Sequence, residues 1–225
     1  MAGRDLMIDD IIDPTHLSAY IASRICHDLV SSVSSVTSAL DFMNEPQESE
    51  MREQADLLLK KGAADSAIRL EYLRYAFGSV GLHGGIADSH EAKRIATGFV
   101  HSHRPTLDWK IDSQSLSPAH YRLVMNLILV GIECLPRGGV LTPEVLPVEN
   151  NLTFIVTARG KRAKIRDDIS GPLNGEIPEG GWSARTIQPL FTRIIAGQFG
   201  TSVSIGVTGE EEITIRCINV PASVD

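Results

Sequence analysis

The chain has 225 residues, enough for one large domain or two small ones with a real core. Hydrophobic residues make up 43% and charged residues 22%, the balance of an ordinary globular protein. A net charge of -7, with no basic run, argues against non-specific nucleic-acid binding and against an anionic membrane surface. No secretory leader pattern opens the chain, and no apolar run reaches spanning length. Cys26, Cys134 and Cys217 lie far apart and have neither zinc-ligand nor redox-motif spacing. The expected location is a reducing cytoplasm.

Residues 1–13 read as a loosely ordered arm. Pro14 and Thr15 then offer a helix start, and the first helix runs to about Asn44. Apolar residues recur at Leu17, Ile21, Ile25, Leu29, Val33, Val36, Leu40 and Met43, which predicts one buried stripe. His27 falls about 200° from Ile25 on the opposite face, at about 100° per residue. Its neighbours there are Tyr20, Ser23, Ser31, Ser34 and Ser38, so the imidazole is accessible to a partner. An inert solvent-facing histidine is the bland alternative, and Asp28-Leu29 directly after it is the context that weighs against that. Asn44-Glu45-Pro46-Gln47 stops the helix. Ser49 to Phe77 reads as a second helix, with Met51, Ala55, Leu58, Leu59, Gly62, Leu70, Leu73 and Phe77 inward. A single hairpin has too little depth to hide two apolar stripes, so a homodimer closing a four-helix bundle is expected.

Gly78, Gly81, Gly84 and Gly85 mark the boundary between a hairpin domain, 14–80, and a second domain, 86–221. Asp88 to Val100 reads as a helix and Thr106 to Ile111 as a strand. Ser117-Pro118 opens a strong helix to Cys134. Gly138 to Pro147 and Asn151 to Ala158 form an expected strand hairpin. Arg159 to Gly181 reads as a long loop and Ala184 to Phe199 as a helix closed by Gly200. Thr201 to Val207 and Glu211 to Val220 follow as a last hairpin turning at Thr208-Gly209. The expected class is α+β: a helical hairpin followed by a two-layer α/β sandwich, with three helices on one face of a mixed sheet.

The order of these parts, with His27-Asp28-Leu29 on the first helix, resembles the core of two-component sensor histidine kinases. The usual proline of that histidine box is replaced by Ser32, and the hydrophobic position after it is kept as Val33. Asn126-Leu127-Ile128-Leu129 resembles the start of the kinase asparagine box. The magnesium-holding asparagine of that box falls on Val130, which has no oxygen to offer. In Val156-Thr157-Ala158-Arg159-Gly160, Ala158 stands where the adenine-binding aspartate belongs. Ala184-Arg185-Thr186 gives no Gly-x-Gly phosphate cradle. The combination resembles the histidine phosphotransferases of the ChpT type, from alphaproteobacterial cell-cycle phosphorelays, from about Pro14 to Pro221.

That resemblance implies a protein that takes a phosphoryl group from one receiver aspartate and hands it to another through a phosphohistidine at His27, without ATP. Histidine as a residue type, with an unperturbed pKa of about 6.5, offers the neutral imidazole that such a nucleophile needs at cytoplasmic pH. No cofactor or metal is expected in this chain, because the receiver supplies the Mg2+ and a lysine. The implied partners are receivers of a hybrid histidine kinase and of response regulators, CtrA-like and CpdR-like. Asp28 is either the orienter of the imidazole or an ordinary surface acid. Arg24, one turn earlier, is expected to pair with receiver acids or phosphate oxygens, or else to be simply solvated. Ser31, Ser34 and Ser35 keep the surface low for an approaching receiver helix, or are merely tolerated there.

Other constellations read as structural. His101 and His103 form a His-x-His pair without a third ligand of suitable spacing. His83-Gly84-Gly85 reads as a linker. Trp109 and Trp182 read as packing residues, with a partner contact as the alternative for Trp182. The rival functions are a divergent ATP-dependent histidine kinase, disfavoured by Val130 and Ala158, and a non-enzymatic dimeric scaffold.

Overall fold

Two long helices lead the described elements: α1, Pro14–Asn44, and α2, Ser49–Phe77. Asp13 starts α1. Its Oδ1 accepts from the N–H groups of Thr15 at 2.8 Å and His16 at 3.2 Å, while Pro14 fills a position that needs no N–H. The computed structural model describes residues 11–44, 49–79, 87–112 and 116–223. The expected glycine linker, including His83-Gly84-Gly85, and the Asn44–Gln47 turn beyond Asn44 lie outside the described residues.

The helices run antiparallel, since Val36 lies against Gly62 while the carbonyl of Asp28 meets Arg69. Small residues set their spacing. Ser32, Ala39, Ala55 and Gly62 are buried, and a Cβ on Gly62 would sit 3.0 Å from Val36 Cγ2. Leu29, Ser32, Val36, Ala39 and Met43 repeat by threes and fours and turn toward α2. Val33 and Leu40 belong to the expected stripe yet are exposed, because each lies about 100° round from Ser32 or Ala39. Met51, Leu58 and Leu70 of α2 are exposed as well.

The residues before α1 are not all a loose arm. Ile11 and Ile12 are buried against Ile187, Leu190 and Ile194, with Leu17, Tyr20 and Trp182 around them.

The remainder is built on α3 (Ser89–His101), β1 (Thr106–Leu107), α4 (Pro118–Cys134), β2 (Val140–Val148), β3 (Asn151–Arg159), α5 (Asp167–Leu173), α6 (Ile187–Gln198), β4 (Val203–Gly209) and β5 (Glu212–Pro221). Asp88 caps α3 through the N–H groups of His90 and Glu91. Ser117 and His120 form a reciprocal capping box at α4. The sheet order is β1-β2-β3-β5-β4, parallel only at the β1–β2 edge. Beyond Leu107 the expected first strand is irregular, although Asp108 and Lys110 still donate to Leu141 and Pro143 on β2. The last hairpin reverses at Glu210-Glu211, two residues later than expected, with Glu211 at φ 58°.

The expected long loop contains a helix. Asp167 and Asp168 favour the first turn of α5, and its Ile169 and Leu173 are buried one turn apart. Four helices, rather than three, therefore line the inner face of the sheet. The alternating buried residues of β3 (Leu152, Phe154, Val156, Ala158) meet α4, which is apolar almost all round because it lies between the sheet and α2, α3 and α6. The last turns of α2 also enter this core. Tyr72 stacks on Phe99 with ring centroids 3.8 Å apart, and its hydroxyl donates to the Met125 carbonyl at 2.7 Å. No described helix is long and apolar enough to cross a membrane.

Candidate functional site

His27 projects from the middle of α1 with 77% of its side chain exposed, whereas the next residue, Asp28, is only 11% exposed. Helical rotation produces this contrast, turning one residue to solvent and its neighbour toward the groove between α1 and the α/β half. Asp28 Oδ1 lies 3.2 Å from His27 Nδ1, and Asp28 Oδ2 accepts from Arg24 Nε at 2.8 Å. One carboxylate oxygen thus faces the imidazole while the other is anchored. In the Nδ1–H tautomer the ring donates to Asp28, leaving the Nε2 lone pair directed outward.

Ser31 and Ser34 are exposed beside His27, and Ser23 lies on the other side. Ser35 is half-buried, and its hydroxyl donates back to the Ser31 carbonyl at 3.0 Å. The surface here is low, and its hydroxyls are partly spent on the helix itself.

Arg24 departs from expectation. It is not a free surface cation: its side chain is 9% exposed, held by Asp28 and by Glu133 of α4, whose Oε1 is 3.6 Å from the guanidinium. Glu133 in turn pairs with Arg166 at 3.0 Å, and Arg166 donates to Asp168 at 2.8 Å. On the other side Arg69 of α2 donates to the Asp28 carbonyl at 3.4 Å and to the Ser102 carbonyl at 3.2 Å. Sequence reasoning missed Arg69, Glu133, Arg166 and Asp168. One signal was available for Glu133: a carboxylate within the greasiest stretch of the chain requires a partner.

His103 sits nearby, bonded to the Phe99 carbonyl at 2.8 Å. Burial lowers its pKa, opposed by that bond, with Arg69 and Arg24 lowering it further and Asp28 raising it. Among the described residues no group of three or more His, Cys, Asp or Glu is placed to hold a metal ion. The cysteines are free, and burial pushes Cys134 and Cys217 up to about 12. Trp109 donates to the Ile111 carbonyl at 3.0 Å, and Trp182 packs against the Ile11 cluster.

The kinase-like boxes are occupied by structure. Val130 and Ala158 are fully buried. Asn126 Nδ2 donates to the carbonyls of Ala76 and Arg122, both at 2.9 Å, tying α4 to the end of α2. Before α6, Ser183 and Thr186 bond each other's N–H and hydroxyl groups, so the turn at the expected phosphate loop closes on itself.

A family model described as the histidine phosphotransferase C-terminal domain matches residues 89–211. The chain is 29% identical over 195 residues to protein phosphotransferase ChpT of Brucella abortus (strain 2308), covering 87% of this chain and 92% of that protein. A solved structure of a bacterial phosphotransferase superposes with a TM-score of 0.81 at 27% identity, covering 92% of this chain and 97% of that one. With more than half of its length matched by the family model and its fold shared almost end to end, this chain belongs to the histidine phosphotransferase family.

Proposed function

We propose that this phosphotransferase shuttles a phosphoryl group between receiver-domain aspartates through a phosphohistidine at His27, without using ATP. The observation that carries the reading is an exposed imidazole on a low, serine-lined helix face, with Nδ1 set against an anchored carboxylate. His27 Nε2 attacks the phosphorus of an aspartyl phosphate. The P–N bond forms as the P–O bond to the receiver breaks, and the receiver's aspartate leaves as a carboxylate. The Nδ1 proton stays in place, and Asp28 offsets the positive charge that develops on the ring. Return transfer to a second receiver reverses these steps. Mg2+ and a lysine come from the receiver, so this chain contributes the nucleophile and its positioning.

The partners in this reading are receivers of a hybrid histidine kinase and of response regulators. The second copy of the hairpin is part of the same reading. Val33 and Leu40 on α1, with Met51 and Leu58 on α2, form exposed apolar positions seven residues apart on each helix. A matching pair of helices would cover them in a four-helix bundle.

The test is label transfer from a phosphorylated receiver domain without ATP, with His27→Ala alongside. Acid-labile label on the wild type alone supports the reading. Label on both proteins removes His27 from it, and label that requires ATP turns the chain into a kinase.

A further inference from the structure

The Asp28–Arg24 pair does not stand on the helical hairpin alone. Its far end is held by α4 and by the turn that opens α5. The side chains of Asp28, Arg24, Glu133, Arg166 and Asp168 alternate in sign, and each is within ion-pair distance of the next. All are at least two-thirds buried, where charges are screened less and unpaired ones are costly. This chain of charges crosses from the helix that bears His27 to the α/β half.

We propose that Glu133 and Arg166 are positioning residues for phosphoryl transfer, acting on His27 through Arg24 and Asp28. The inference rests on the reading of His27 as phosphoacceptor. Arg24 would otherwise give its whole positive charge to Asp28 and weaken that carboxylate's hold on the imidazole. Glu133 takes part of that charge, and Arg166 limits how much it takes. The α/β half thereby sets both the orientation of Asp28 and the negative charge that the ring meets as it becomes cationic.

Among the described residues, the charged and titratable groups facing Asp28 are Arg24 and His27 from α1, Arg69 from α2, His103 after α3, and Glu133 from α4 through Arg24. Arg69 reaches the Asp28 backbone rather than its carboxylate. Glu133 and Arg166 therefore act on the pair from α4 and the start of α5, alongside His103 after α3.

The experiment measures transfer from a saturating phosphorylated receiver across pH. It uses wild type, Glu133→Gln, Glu133→Asp and Arg166→Gln, each checked for folding by thermal unfolding. Glu133→Gln is expected to slow transfer about fivefold, the scale of one network coupling. It also moves the acidic limb of the rate profile to lower pH, because a negative charge near the ring is lost. Arg166→Gln moves the limb the other way, and Glu133→Asp restores most of the rate. Unchanged limbs in both glutamine variants, or shifts of the same sign, overturn the proposal, and the sign of the Arg166→Gln shift decides it if Glu133→Gln does not fold. His27→Ala in the same assay separates this from the parent reading. Transfer that survives His27→Ala defeats the phosphoacceptor, whereas transfer that needs His27 and ignores Glu133 and Arg166 defeats only the positioning claim.

Discussion

The hairpin and the α/β half solve opposite problems. In α1 the buried residues are Arg24, Ser32 and Ala39, small or polar, while Val30, Val33, Leu40 and Phe42 face outward. In α4 nearly every side chain is buried, and the sheet presses Phe154, Val156 and Ala158 against it. The half that presents His27 has the thinner core. It borrows stability where α2 ends in Tyr72, Leu73, Ala76 and Phe77, all packed in the other half's interior. A phosphoryl carrier needs a bare, low surface for a partner, and a helix serving that surface cannot also bury it. The difference shows that presentation and stability are assigned to separate parts of one chain.

The largest effect expected is functional and local. His27→Ala should abolish label transfer from a receiver and leave the unfolding midpoint within error, because the side chain is mostly exposed. The reverse holds in the other half. Phe99→Ala removes the ring stacked on Tyr72 and should cost about 3–5 kcal/mol in urea unfolding. If both changes destabilised the chain equally, the division between the halves would be wrong. The hairpin's exposed apolar residues supply the next test. Val33→Glu with Leu58→Glu should move the solution mass from two chains to one, measured by light scattering, with the α/β half still folded. A mass that does not change would remove the bundle from the proposed function.

Asp28→Asn should slow transfer about tenfold or more, the scale of one hydrogen bond to a charged group. The smallest effect concerns pH. His120 accepts from the Ser117 N–H at Nδ1 and meets the Pro221 carbonyl at Nε2, an arrangement that suits the neutral ring. Burial lowers its pKa, against the raising effect of the Pro221 bond, and burial lowers His103 as well. The unfolded chain therefore takes up these protons first. Stability is full above the unfolded histidine value of about 6.5 and falls as the pH drops through it. Tm should be lower at about pH 5.5 than at about pH 7.5, and His120→Gln should narrow that gap.

Much of this was legible where the signal is local. Helix starts at Asp88 and Ser117 follow from side chains that cap the next turn, and the α2 boundaries follow from Pro46 and Gly78. The exposure of His27 followed from helical rotation alone. What stayed hidden depends on partners far along the chain. Arg24 reads as a surface cation until Glu133 is brought beside it by tertiary packing. Val33 and Leu40 carry the same hydrophobicity as Leu29 and Val36, and only the position of α2 separates the two groups. Asp167 to Leu173 was hidden for another reason: a seven-residue helix containing Gly171 and Pro172 has too short a period to register.

Ile11 and Ile12 give the fold a clasp ahead of α1. They bridge the start of α1 to α6, touching side chains more than 150 residues downstream and joining the two halves at a point apart from both the α2 end and the Arg24–Glu133 pair. A chain trimmed back to Pro14 would bare Ile187, Leu190 and Ile194 to water. Amide exchange along α6 would then quicken, and the trimmed protein would acquire a greasy patch with a tendency to clump. Among the described residues, this apolar grip reaches two positions ahead of the Asp13 cap of α1, so the packed fold extends beyond the helix that bears His27.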